Sequence, residues 1–189
     1  MEYRPYDEVL LFSGILTSIG IPESLIAALE ERFGRISYYS PEIDFDFTDY
    51  YDEEMQGPIK RLFIAFEELT TPDRLAEAKV FTNELEERYA VDGNRRINLD
   101  PGIISVSNLI LATTKNRAHR IAIGHDLYAE VTLIYHKKGW ESFSWTYADY
   151  RAPKVQEMLV DMRRHYLKAL RNQTNLNYEV CSENSEKHS

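Results

Sequence analysis

The stretch from Lys115 to Arg120 gathers Lys115, Arg117, His119 and Arg120 within six residues, with no acid among them. That density of guanidinium and ammonium groups suits a phosphate or carboxylate, because an arginine fork matches both anions. A solvated basic connector is the plainer reading of the same residues. Strand parity sharpens the chemistry. If Ile121 and Ile123 share a face with Val131 and Leu133, Arg120 and Ala122 fall on the other face with Glu130 and Thr132. Arg120 and Glu130 are then cross-strand neighbours. Their pair is either a surface ion pair worth under about 1 kcal/mol or a brace that aims a neighbouring group. In the functional reading Lys115, Arg117 and Arg120 hold an anion, Glu130 orients Arg120 or acts as general base, and His119 shuttles a proton. His119 sits on the apolar parity at its strand end, where a rim or capping position is the plainer expectation. Asn98 is a further ligand-binding candidate. Asp100, just after it, precedes Pro101-Gly102 and reads as a turn residue bonding its own backbone.

Other clusters carry less. The connector from Pro41 to Pro58 holds Glu42, Asp44, Asp46, Asp49, Asp52, Glu53 and Glu54. Oxygen-rich segments can bind magnesium or calcium. Here Asp44-Phe45-Asp46-Phe47 alternates acid with aromatic as a charged edge strand does, so no metal site is expected. His119, His125 and His136 lack the i, i+4 spacing of a helical zinc pair. Trp140, Phe143, Trp145, Tyr147 and Tyr150 read as packing between a hairpin and the last helix, with base or sugar stacking as the alternative. No nucleophile motif is recognisable, and no motif names a cofactor.

These groups need elements to position them. Leu10–Thr17 reads as a buried strand. A helix opens at Pro22-Glu23, carries Leu25, Ile26, Leu29 and Phe33 on one stripe, and stops at Gly34. Strands follow at Arg35–Ser40 and Arg61–Phe66, then a helix from Pro72 toward Tyr89, an extended segment Arg96–Leu99, and a turn at Asp100-Pro101-Gly102. Glu30-Glu31-Arg32-Phe33 and Glu86-Glu87-Arg88-Tyr89 close the two helices alike. The order is that of an α+β, ferredoxin-like split βαβ core. A strand at Leu109–Thr113, a hairpin from His119 to His136, and a C-terminal helix from Ala152 to Leu170 are added to it. Residues 1–171 form one domain, and 172–189 a polar, disordered tail. Because Leu62/Ile64/Phe66 and Phe63/Ala65 are apolar on both parities, the hairpin or last helix must cover the second face of the sheet.

Composition bounds the function. The chain has 189 residues and a formal net charge of -9. Residues 1–58 hold 3 basic and 13 acidic side chains, so the acidity is concentrated there. That balance argues against nucleic-acid backbone as a partner. It also frames a second functional class, a non-catalytic interaction or regulatory domain docking a basic partner through its acidic first third. Cys181 stands alone, so neither an internal disulfide nor a cysteine zinc site is available. With no signal-peptide pattern and no membrane-length apolar run, the expectation is a cytoplasmic protein. Oligomeric state leaves no mark on the sequence.

Four motifs occur in order: Asn98-Leu99-Asp100-Pro101-Gly102, Thr114-Lys115-Asn116-Arg117-Ala118-His119-Arg120, Tyr128-Ala129-Glu130-Val131-Thr132-Leu133 and Trp145-Thr146-Tyr147-Ala148-Asp149-Tyr150. Together they resemble the prokaryotic family called domain of unknown function 4416, over about Leu10 to Arg171. Two departures fall in connectors: Gln56 between Met55 and Gly57, and Ala148 where proline is usual. The resemblance implies GTP binding for some members. No glycine here is followed by lysine, so a P-loop, which needs glycine amides around the phosphates and a lysine reaching them, is excluded. A nucleotide held by another route stays open.

Overall fold

The computed structural model describes residues 4–48, 51–137 and 139–186; the side chains of 52, 53 and 174–186 fall outside that description. The first strand, β1 (Val9–Thr17), is buried along its whole length. Helix α1 (Glu23–Phe33) buries Leu25 and Leu29 and ends at Gly34, whose φ of 84° suits glycine. Strands β2 (Ile36–Tyr39) and β3 (Ile43–Asp44) and the short helix α2 (Asp52–Met55) lead to the long strand β4 (Lys60–Thr70). Helix α3 (Leu75–Arg88) follows, then β5 (Ile97–Ile104), β6 (Asn108–Thr113), β7 (Ile121–Gly124), β8 (Leu127–His136) and β9 (Gly139–Ser142). The chain closes with α4 (Ala148–Arg151) and α5 (Pro153–Glu186).

The class is α+β, with one antiparallel sheet in the order β2-β4-β1-β5-β6-β8-β7; β3 adds to β4, and β9 to β8. Both faces are covered, and the parity of the strands dictates by what. Leu11, Ile15, Leu62 and Ile64 pack with Leu25 and Leu29 of α1 and Leu75 and Leu85 of α3. The alternate residues Leu10, Phe12, Phe63 and Ala65 pack with Val155, Leu159, Met162 and Tyr166 of α5. The last helix therefore seals the second face, as the double apolar parity of β4 requires.

Four details depart from the sequence reading. Asp100-Pro101-Gly102 is no turn: β5 runs straight through it, with Ser13 opposite Pro101 and Phe12 opposite Gly102. Proline is tolerated because β6 pairs with β5 only from Gly102 onward, leaving the second edge open at the proline. The alternating acid–aromatic segment forms ladder pairs at Ile43 and Asp44 and one further bond from the Phe45 amide to the Ile59 carbonyl at 2.9 Å, and Phe45 and Phe47 line a cavity instead of extending the edge further. Helix α5 passes Leu170 and runs to Glu186, since no glycine or proline follows Pro153 to stop it. Ile121 is 70% exposed, because its strand is the outermost of the sheet. Among the described residues no helix is long and apolar enough to cross a membrane.

Among the glycines, Gly102 has the closest surroundings. A Cβ there would lie 2.5 Å from the Phe12 ring and 2.7 Å from the Ile110 carbonyl oxygen. Gly102→Ala is expected to lower unfolding free energy by about 1–3 kcal/mol, read by urea denaturation. An unchanged midpoint would contradict this packing.

Candidate functional site

Strands β5 and β6 pair over three positions only, Gly102 to Ile104 against Leu111 to Leu109. Beyond them β5 continues along β1, and β6 continues along β8 through Ala112 and Thr113. The sheet splays open there, and the gap is a cavity of about 790 Å³, within the size range of small-molecule sites.

Two supports hold the gap open. On the β5 side, α3 supplies side chains where a neighbouring strand is missing. Lys79 Nζ donates to the Leu99 carbonyl at 2.8 Å, and the Leu99 amide donates to Glu86 Oε1 at 2.8 Å. Arg95 extends this brace, donating to Glu86 at 3.2 Å, to Asn98 Oδ1 at 2.8 Å and to both carboxylate oxygens of Glu54 at 2.6 and 2.8 Å. Burial raises the Glu86 carboxyl above its usual range despite Lys79, the Leu99 amide and Arg95, which pull it down. On the β6 side the support is Arg120. It donates from Nε to Glu130 at 2.7 Å, from Nη1 to the Lys115 carbonyl at 2.6 Å and from Nη2 to Tyr147 Oη at 2.9 Å. Glu130, whose side chain is fully buried, also meets His119 Nε2 at 3.1 Å. The His119 ring stacks on Trp145 at 5.0 Å, and Trp145 stacks on Phe143 at 4.6 Å.

The floor is built around Arg61, only 3% exposed. Its Nη2 donates to Asp149 Oδ2, and its Nη1 lies 3.8 Å from Asp100 Oδ2. The guanidinium carbon sits 5.1–5.6 Å from the ring centres of Phe63, Tyr150 and Phe45, a geometry that favours a cation. Burial alone would lower the arginine pKa; Asp149, Tyr150 and Asp100 outweigh it and hold it above the ordinary value. Gly14 of β1 makes the room, since a Cβ there would lie 2.8 Å from Arg61 Nη1 and 3.1 Å from Tyr150 Oη. Arg61 Nε and Nη1 and Tyr150 Oη are buried without a hydrogen-bond partner among the described residues. Burial raises the Tyr150 phenol far above its usual value, so it stays a hydroxyl.

Of the six residues nominated from sequence, Asn98, Lys115, Arg117 and Arg120 line this one cavity. His119 and Glu130 stand behind it, bonded to each other and to Arg120 rather than facing the space. Lys115 and Arg117 are exposed at its mouth. Asn98 is 3% exposed, and its amide donates to Asp100 Oδ2 at 2.8 Å. Sequence reasoning passed over Arg61, Lys79, Arg95 and Asp149. Arg61 was visible as a cation beginning a run apolar on both faces. Lys79 and Glu86 stand seven apart, on the buried side of α3.

In the acidic connector Asp44 pairs with Lys60 at 2.8 Å, and Glu54 is taken by Arg95. Asp49 and the side chains of Asp52 and Glu53 lie outside the described residues. No group of three or more His, Cys, Asp or Glu side chains that could hold a metal ion occurs among the described residues.

The family model for a domain of unknown function (DUF4416) matches residues 7–166. The chain belongs to this family. Neither the curated proteins nor the solved structures provide a match. The DUF4416 match takes in every wall of the cavity, from Phe45 to Tyr150.

Two outcomes test the supports. Glu130→Ala strands the Arg120 charge, whose side chain is 6% exposed, and is expected to cost about 3–5 kcal/mol in denaturant unfolding; a loss below about 1 kcal/mol would mean the pair is not a true buried brace. Hydrogen bonding from Arg95 lowers the Glu54 carboxyl below its usual value. Its contribution is therefore present above the unfolded-state carboxyl pKa and fades as pH falls through the lower folded value. The stability difference between the parent and Glu54→Gln should be present at neutral pH and close on acidification, as followed by thermal melts across pH.

Proposed function

We propose that this DUF4416 domain binds a small anionic or phosphorylated ligand in the cavity between β5 and β6. The observation that carries this reading is the charge of the lining. Among the described residues, Arg61, Lys79, Arg95, Lys115, Arg117 and Arg120 line the cavity with Asp100 and Asp149; counting also Glu54, Glu86 and Glu130, which pair with three of these cations from behind the wall, the site is positive by one in a chain of net charge -9. A concave site of one sign focuses field and raises the local concentration of oppositely charged ligand. Lys115 and Arg117 are the anion contacts, and Arg120 shapes their loop by gripping Glu130, Tyr147 and the Lys115 carbonyl. His119 and Glu130 are positioning residues behind that loop rather than groups that touch ligand. A nucleotide held without a P-loop belongs to the same ligand class.

The scaffold supports a familiar architecture for such a site. The order β2-β4-β1-β5, with α1 and α3 on one face, supports reading this part as a ferredoxin-like split βαβ core. The β6–β8 extension builds the second wall of the cavity.

Inorganic phosphate added at increasing concentration should raise the melting temperature, as mass action requires of any ligand that binds only the folded state. The variant carrying Lys115→Ala and Arg117→Ala should melt normally without phosphate and lose the phosphate-induced shift. A shift retained in that variant, or none in the parent with any phosphate or carboxylate probe, overturns the proposal.

A further inference from the structure

We infer that the ligand carries a flat aromatic ring as well as its anionic group, with the ring held among Phe45, Phe47, Tyr51 and Tyr147 of the cavity wall. This deepens the anion-binding reading and rests on it. An inorganic anion engages only Lys115 and Arg117, which are exposed at the mouth. It leaves most of about 790 Å³ unfilled. The floor does not suit a second anion, because Asp149 and Asp100 set two negative charges against the single positive charge of Arg61.

The apolar surface within a ligand's reach is mostly aromatic. Leu111 and Ala112 line the cavity but are only 3% and 4% exposed, so they offer almost no area. The rings differ. Phe45, Phe47 and Tyr51 are half-buried, and Tyr147 is 41% exposed. The segment after β3 brings the first three. Tyr147 precedes α4, and its hydroxyl accepts from Arg120 at 2.9 Å. Phe45 meets Phe47 and Tyr51 edge-on, at interplanar angles of 64° and 71°. By contrast Phe143, Trp145 and His119, none of which lines the cavity, lie parallel within 5° and 11° and stack on one another. An aromatic guest gains from tilted or offset ring contacts beyond the area it buries, and rigid side chains such as these lose little rotamer freedom in holding it. Burial raises the Tyr51 and Tyr147 phenols above their usual value, so the wall adds no negative charge to repel the anion.

Calorimetric titration of the full chain separates this inference from the one beneath it. The probes are inorganic phosphate, two aromatic phosphates and a non-aromatic match for each. Phenyl phosphate, matched by cyclohexyl phosphate, sets its ring beside the anion. Adenosine 5′-monophosphate, matched by ribose 5-phosphate, sets it one sugar away. The better aromatic probe should bind at least about tenfold more tightly than phosphate, a margin that one stacked ring supplies, and more tightly than its own match. Phe47→Leu and Tyr147→Leu stay apolar but lose a ring, so each should keep its affinity for phosphate and lose the margin. Phe47→Tyr and Tyr147→Phe keep the ring and should keep the margin. If phosphate binds but neither aromatic probe exceeds its match, the inference fails and the anion site stands. The same holds if the margin survives in both leucine variants, or falls equally in the variants that keep the ring. If no anion binds at all, both readings fall.

Discussion

The ion pair between Arg61 and Asp149 is the constraint around which the rest is arranged. A guanidinium with 3% of its surface exposed survives only if its charge is matched, and removing either partner would leave a stranded ion. The pair joins the first residues of β4 to the short helix α4, which immediately precedes α5. It thereby sets where α5 begins its path across the sheet. Tyr150, the neighbour of Asp149, packs against Phe63 with ring centres 5.7 Å apart. The same two residues of α4 thus tie the hydrophobic layer under α5 to the polar floor of the cavity. Glycine at position 14 is part of the arrangement, because the strand beside Arg61 has no space for a side chain.

Around that anchor the splayed sheet needs substitutes for the hydrogen bonds it gives up. Leu99 would meet a strand on its open side if β6 ran parallel to its whole length. It meets Lys79 and Glu86 instead, one supplying the donor and the other the acceptor. The opposite wall is held by a single arginine with partners on β8, in the loop after β6 and on Tyr147. Both supports are charged and well shielded from water. They are costly to assemble and specific in geometry, which makes the gap between β5 and β6 a built feature rather than a packing defect.

Much of this was legible in the residue order. The α+β class, the two helices of the first half, the hairpin and the stripe Val155–Leu159–Met162–Tyr166 follow from periodicity and end signals. Period-2 parity also placed Arg120 beside Glu130, although its premise gave way in part: a bulge where β6 meets β8 puts Leu133 on the face of Glu130 and opposite to Val131. The failures have physical causes. Asp-Pro-Gly reads as a turn because those residues favour turns in isolation, but an open strand edge and the close approach of Phe12 make the same residues suit a strand. The Phe45–Phe47 segment alternates like an edge strand, yet its aromatics find Arg61 and the cavity. The floor escaped notice because Arg61, Asp100 and Asp149 lie far apart in the chain. Nothing local says that β4, β5 and α4 converge.

The brevity of the β5–β6 pairing has a mechanical meaning. Three rungs are the backbone seam between the half of the sheet carrying β1, β4 and β5 and the half carrying β6 to β9. A seam that short acts as a fulcrum near one end of two long levers. A small rotation about it changes little at Ile103, but it moves the Asn98–Asp100 wall against the Thr113–Lys115 wall by an amount that grows with distance from the seam. Twist at this seam thus sets the width of the opening, and its end rung, Gly102 with Leu111, borders the cavity itself.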